Sequence, residues 1–77
     1  MTYFNDKKIK ILVSGCGGDI GQSIGKILQE NNENFILYGL DINDKNPSKF
    51  IFQNFSIGLP ANHKDFFEFL FDYIKKY

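Results

Sequence analysis

Arginine is missing from this chain. All nine basic residues are lysine, and nine acidic residues balance them to a formal net charge of zero. With no guanidinium fork for phosphate and no basic surplus, the composition argues against a nucleic-acid binder. Cysteine is nearly missing too. The lone Cys16 has no internal disulfide partner, and no charged-then-apolar leader precedes the first apolar run, so a cytoplasmic protein is expected. No apolar stretch approaches the roughly 20 residues a membrane span needs. Repeats and low-complexity tracts are absent. What remains, over 77 residues, is enough for one small domain with a modest margin of stability.

The information is concentrated in Ser14-Gly15-Cys16-Gly17-Gly18-Asp19-Ile20-Gly21. Before it runs Lys8 to Val13, nearly continuous in Ile, Leu and Val, which predicts a strand covered on both faces, as in a parallel sheet. Met1 to Lys7 reads as a frayed lead-in. After the glycines, Ile20, Ile24, Ile27 and Leu28 fall on one helical stripe. Asp19 and Gln22 have the spacing of an N-cap and its capping-box partner. Gly21 and Gly25 flank the stripe, each costing the helix about 0.5–1 kcal/mol against Ala, so close packing on a sheet is expected there. Asn31-Asn32-Glu33-Asn34 stops the helix.

Phe35 to Leu40 predicts the second strand, ending at Asp41. Because a helix intervenes, the two strands should be parallel with a right-handed crossover. Ile42 to Ser48 reads as a surface loop. Phe50-Ile51-Phe52 suggests a helical turn, Asn54 to Gly58 a third strand, and Asn62 or His63 to Lys76 a last helix. The expected order is β-α-β-loop-β-α, a three-layer α/β Rossmann-like half-fold with a short parallel sheet, in a single domain over residues 1–77. Apolar residues of the last helix cover an arc of about 200°, whereas one sheet face needs a little over 100°. Phe67, Leu70, Phe71 and Ile74 suffice for the sheet. Phe66, Phe69, Tyr73 and Tyr77 are then surplus, and predict either a homodimer through this helix or cover from further chain; solitary surface aromatics are the plain alternative.

Gly15, Gly18 and Gly21 form G-x-x-G-x-x-G, with Asp41 at the end of the second strand. In that setting the turn and helix N-terminus could cradle a phosphate, and Asp41 could accept from a ribose 2′-hydroxyl. The alternative is a turn whose glycines serve packing and whose Asp41 caps a loop. Asp19 at the mouth of the turn opposes a pyrophosphate. Cys16 could carry a lowered pKa beside a helix N-terminus, but a small residue filling a tight turn fits better. His63 lacks a metal-ligand pattern around it. Tyr3 and Lys7 share the spacing of a short-chain dehydrogenase pair, yet they precede the first strand, at the wrong end of the fold. No nucleophile–base constellation emerges.

The run Ile11-Leu12-Val13-Ser14-Gly15-Cys16-Gly17-Gly18-Asp19-Ile20-Gly21-Gln22-Ser23-Ile24 resembles the opening of the carbamoyl-phosphate-synthase-like ATP-grasp proteins, "ILVTGxGGxxGQSI". Gly39-Leu40-Asp41-Ile42-Asn43 resembles that family's "GxDIN", and Phe55 to Pro60 with the aromatic helix after it resembles the family's third strand, Val-Pro and helix. The likeness runs from about Lys8 to Lys76. Here Asp44 stands where the family usually has proline, and Phe50-Ile51-Phe52-Gln53-Asn54 replaces a small and acidic stretch. The resemblance implies a pre-ATP-grasp domain, the amino-terminal part of a longer carboxylate–amine or carboxylate–thiol ligase. The domain would help to hold a small-molecule acceptor substrate, while a downstream ATP-grasp domain holds most of ATP and Mg²⁺. It would be inert alone. Its implied ligand-side residues are Gly15, Cys16, Gly17, Gly18, Asp19, Ile20, Gly21, Asp41 and Asn43. The competing readings are the first half of an NAD-binding domain of an extended short-chain epimerase or dehydratase, and a stand-alone interaction module.

Overall fold

The computed structural model describes residues 8–77; the lead-in, with Tyr3 and Lys7, lies outside the described residues. In chain order the elements are β1 (Ile9–Ser14), α1 (Asp19–Gln29), β2 (Phe35–Asp41), α2 (Ser48–Ile51), β3 (Asn54–Ile57) and α3 (Phe66–Lys76). The strands make one sheet in the order β1-β2-β3, and both pairings are parallel, Ile9 opposite Phe35 and Tyr38 opposite Asn54 at their starts. This is the expected α/β half-fold.

Alternation along the strands separates the layers. Ile11, Val13, Phe35, Leu37 and Phe55 pack with Cys16, Leu28, Ile51 and Phe52, so α1 and α2 cover that face. Tyr38 turns to the other face, where its ring meets Tyr73 edge-on at 6.3 Å and Tyr77 at 5.6 Å. There α3 lies, with the Lys10 ammonium donating to the main-chain oxygen of Tyr77. β2 is central, and Leu37, Gly39 and Leu40 are buried in it. β1 is an edge of this sheet and its Ile11, Leu12 and Val13 are only half-buried, short of the full cover its composition predicts.

Three further expectations are corrected. First, Asp19 is not the N-cap. Gly18 is, with extended backbone (φ −76°, ψ 168°) and no side-chain cap bond; the Gln22 amide instead donates to the Gly17 carbonyl at 2.7 Å. Second, α1 does not seat its isoleucine stripe. Its buried residues are Gly21 and Gly25, while Ile20, Ile24 and Ile27 are exposed. Added Cβ atoms show why: at Gly21 one would lie 2.6 Å from the Gly15 carbonyl oxygen, and at Gly25 2.6 Å from the Phe52 ring. The helix therefore comes down on its glycine edge, and that rolls the isoleucines outward. Third, α3 begins at Phe66, after turns. The His63 amide donates to the Pro60 carbonyl, and the Asp65 amide donates to His63 Nδ1 at 3.0 Å, a local alternative to helix.

The face that α3 uses is also the reverse of the expected one. Phe66, Phe69, Leu70 and Tyr73 are half-buried, whereas Phe67, Phe71 and Ile74 are exposed, and no residue of the helix is fully buried. Tyr38 supplies the reason, an aromatic on the sheet that the tyrosines of α3 meet. Among the described residues no helix is long and apolar enough to cross a membrane.

Candidate functional site

The chain leaves β1 through a single residue in the left-handed region, Gly15 at φ 70°. That kink lets the Cys16 amide donate to the Leu40 carbonyl at 3.0 Å and the Gly18 amide to the Gly15 carbonyl at 3.2 Å. The turn is thereby tied to β2 and closed on itself. Cys16 fills its inside. The residue is completely buried, and a Cβ on Gly39 would stand 2.8 Å from its sulfur. Burial pushes the thiol pKa up, the Asp41 charge adds to this, and a hydrogen bond with Ser48 pulls the other way. Cys16 is a packing residue with an unactivated thiol.

Asp41 turns toward the glycines. Its carboxylate accepts from the Gly17 amide at 3.3 Å, the Asn43 amide at 3.2 Å and the Asn46 side-chain amide at 3.4 Å. The absence of a Cβ at Gly17 makes this approach possible, since one would fall 2.6 Å from the Asp41 carboxylate. The loop beyond repeats the device: Asn43 Oδ1 accepts from the Lys45 amide at 2.7 Å, and Asn46 Oδ1 from the Ser48 amide at 3.0 Å. Successive Asx turns thus build a polar loop from its own side chains. Asn43, expected on the ligand side, is spent on holding this loop.

On the α3 side, beyond the carboxyl ends of all three strands, lies a cavity of about 260 Å³. Ser14 and Gly15 from β1 and its turn, Leu40 to Ile42, Gly58 to Ala61, and Phe66 and Phe69 of α3 bound it. Its position obeys the general rule for open parallel sheets, in which ligands sit outside the strand carboxyl ends. Its walls are mainly apolar, with Ser14 and Asp41 as the polar residues among them.

Of the residues the resemblance implies, Gly15 and Asp41 line this cavity. Gly17 touches Asp41, and Gly21 packs on Gly15 and Cys16. Gly18, Asp19 and Ile20 are exposed and do not line it. Leu59, Pro60, Ala61, Phe66 and Phe69 are wall residues that the sequence reading did not assign. Their signal was positional: they follow the carboxyl end of β3, where the rule for parallel sheets places ligands. Among the described residues no three His, Cys, Asp or Glu side chains gather as metal ligands.

The Gly17 amide is bound to the Asp41 carboxylate, and Asp19 lies exposed in the first turn of α1. Comparisons with protein families, with characterised proteins and with solved structures find no match for this chain.

Proposed function

We propose that this chain is the amino-terminal, substrate-side domain of an ATP-dependent carboxylate–amine or carboxylate–thiol ligase of the ATP-grasp type, acting in the cytoplasm and inert alone. The observation that carries the reading is the Asp41 carboxylate seated on the Gly17 amide. It supports reading the glycine motif as a packing device rather than as a phosphate cradle for NAD. The cavity at the strand ends is the place this reading gives to ligand. At about 260 Å³ it falls below the roughly 300–1,000 Å³ typical of drug-sized ligands, so it suits part of a compact acceptor substrate rather than a whole nucleotide.

In this reading ATP and Mg²⁺ belong mainly to a downstream ATP-grasp domain. There ATP would supply a phosphoryl group to the substrate carboxylate with release of ADP, and the amine or thiol would displace that phosphate as the amide or thioester forms. The residues of this chain act on the acceptor: Ser14 offers a hydroxyl, and Leu40, Phe66 and Phe69 exclude water around it. Calorimetric titration of the chain with NAD tests the proposal. No saturation into the millimolar range is expected, and a dissociation constant in the low micromolar range would reinstate the epimerase or dehydratase reading.

A further inference from the structure

The structure assigns a second copy of this chain to the outer stripe of α3. Phe67, Phe71 and Ile74 stand at i, i+4 and i+7 and are 68, 58 and 53% exposed. The sheet takes the neighbouring arc through Phe66, Phe69 and Tyr73, so among the described residues this arc is left uncovered. The stripe is self-complementary in a particular way. Two copies of α3 packed antiparallel about a two-fold axis at Phe71 set Phe71 on the partner's Phe71, and Phe67 on the partner's Ile74. Helices packed in this manner lie about 8–10 Å apart, within reach of side chains on either flank.

Charge selects this arrangement over others. At about 100° per residue, Glu68 and Lys75 lie on the same flank of the stripe, one toward each end. A two-fold axis through Phe71 brings that flank of both copies to the same side and opposes Glu68 to the partner's Lys75. It does so twice, once for each copy. A parallel two-fold pairing instead carries this flank of the two copies to opposite sides of the contact, so no Glu68–Lys75 pair forms across it and the charge complementarity is lost. The zero formal net charge of the chain leaves little general repulsion to overcome.

The area is adequate for a weak dimer. A full aromatic side chain offers about 150–250 Å², so the exposed parts of the stripe amount to roughly 400 Å² per copy. Doubled, this is about 800 Å², and with the aliphatic stems of the flanking Glu68 and Lys75 the contact stays below the roughly 1,200 Å² of stable interfaces, in the range of weak association.

Sedimentation equilibrium of the full 77-residue chain reads the result. The wild type should form a dimer with a dissociation constant of order tens of micromolar, in keeping with an interface of minimal size. Phe71→Lys places like charges on the axis and should leave a monomer with an unchanged circular dichroism spectrum. Glu68→Lys and Lys75→Glu should each weaken the dimer about tenfold, since each reversal alters two surface pairs at once. The double reversal should restore it. A wild type still monomeric at several hundred micromolar overturns the assignment. So does association that ignores the charge reversals, or that proceeds beyond a dimer.

Discussion

Gly15 and Gly18 share a turn and make opposite demands on it. A Cβ at Gly15 would meet no atom within 4 Å, so space is not its constraint; its φ of +70° is. An L-residue there carries about 1–2 kcal/mol of left-handed strain. Gly18 has ordinary extended backbone and its nearest neighbour at 3.6 Å, in a position where Ser is a better N-cap than Gly by a few tenths of a kcal/mol. Urea melts should therefore show Gly15→Ala destabilised by about 1–2 kcal/mol, Gly15→Asn recovering part of that loss because Asn tolerates the region, and Gly18→Ser unchanged or slightly stabilised. Equal losses at both sites would mean that the turn is not built as described. In the sequence the two glycines are interchangeable members of one motif. Only the backbone distinguishes them.

At the scale of the element, α3 shows how a helix can satisfy a period and still be misread. The 3.6-residue repeat fixes which residues share a stripe, but an arc of about 200° contains two adjacent stripes, and the period does not choose between them. Tyr38 chooses, through its contacts with Tyr73 and Tyr77, and that pairing is invisible until the strand register is known. The consequence is measurable. Truncating half-buried Tyr73 to Ala should cost about 1.5–2.5 kcal/mol, half the loss for a fully buried aromatic. Phe71→Ala should stay within about 0.5 kcal/mol when both are unfolded at submicromolar concentration, below the range of self-association. The reverse order would return Phe71 to the core. α1 makes the same point from the other side. Its isoleucines announce a helix correctly, but Gly21 and Gly25 set which edge meets the sheet, because only they allow the backbone to close on Cys16 and Phe52.

For the molecule as a whole, strand positions, their parallel pairing and the glycine turn were legible in the sequence, because each rests on local pattern. The cavity was legible in part. Asp41 and Gly15 were found by spacing, whereas Leu59, Pro60, Phe66 and Phe69 reach it only through the return of the chain over β3. The bond between Asp41 and Gly17, on which the functional reading turns, spans two strands and leaves no local trace. Stability as a function of pH also belongs to this scale. The folded Cys16 thiol titrates above its ordinary value, mainly because it is buried. The protonated thiol is therefore the form that folding favours. Its contribution is complete below the unfolded pKa, about 8.5, and is lost as pH rises from there through the folded value. Wild type should lose more stability than Cys16→Ala above about pH 8.5, read from urea midpoints across the alkaline range. Parallel decline of the two proteins would exclude the thiol as the cause.

The parallel pairing of β1 with β2 also governs how the chain finds its fold. Every pair in that register, from Ile9 with Phe35 to Ser14 with Leu40, joins residues 26 positions apart, and the segment between them must be closed before any pair is rewarded. α1 cannot shorten the search in advance. It has 11 residues and two interior glycines, while isolated helices below about 12–15 residues are marginal in water and each glycine removes about 0.8–1.0 kcal/mol more. The stability of α1 therefore rests on the sheet it packs against, where Gly25 meets Phe52. The residues that seat α1 on the core also leave it weak by itself, so the helix depends on the strands that receive it.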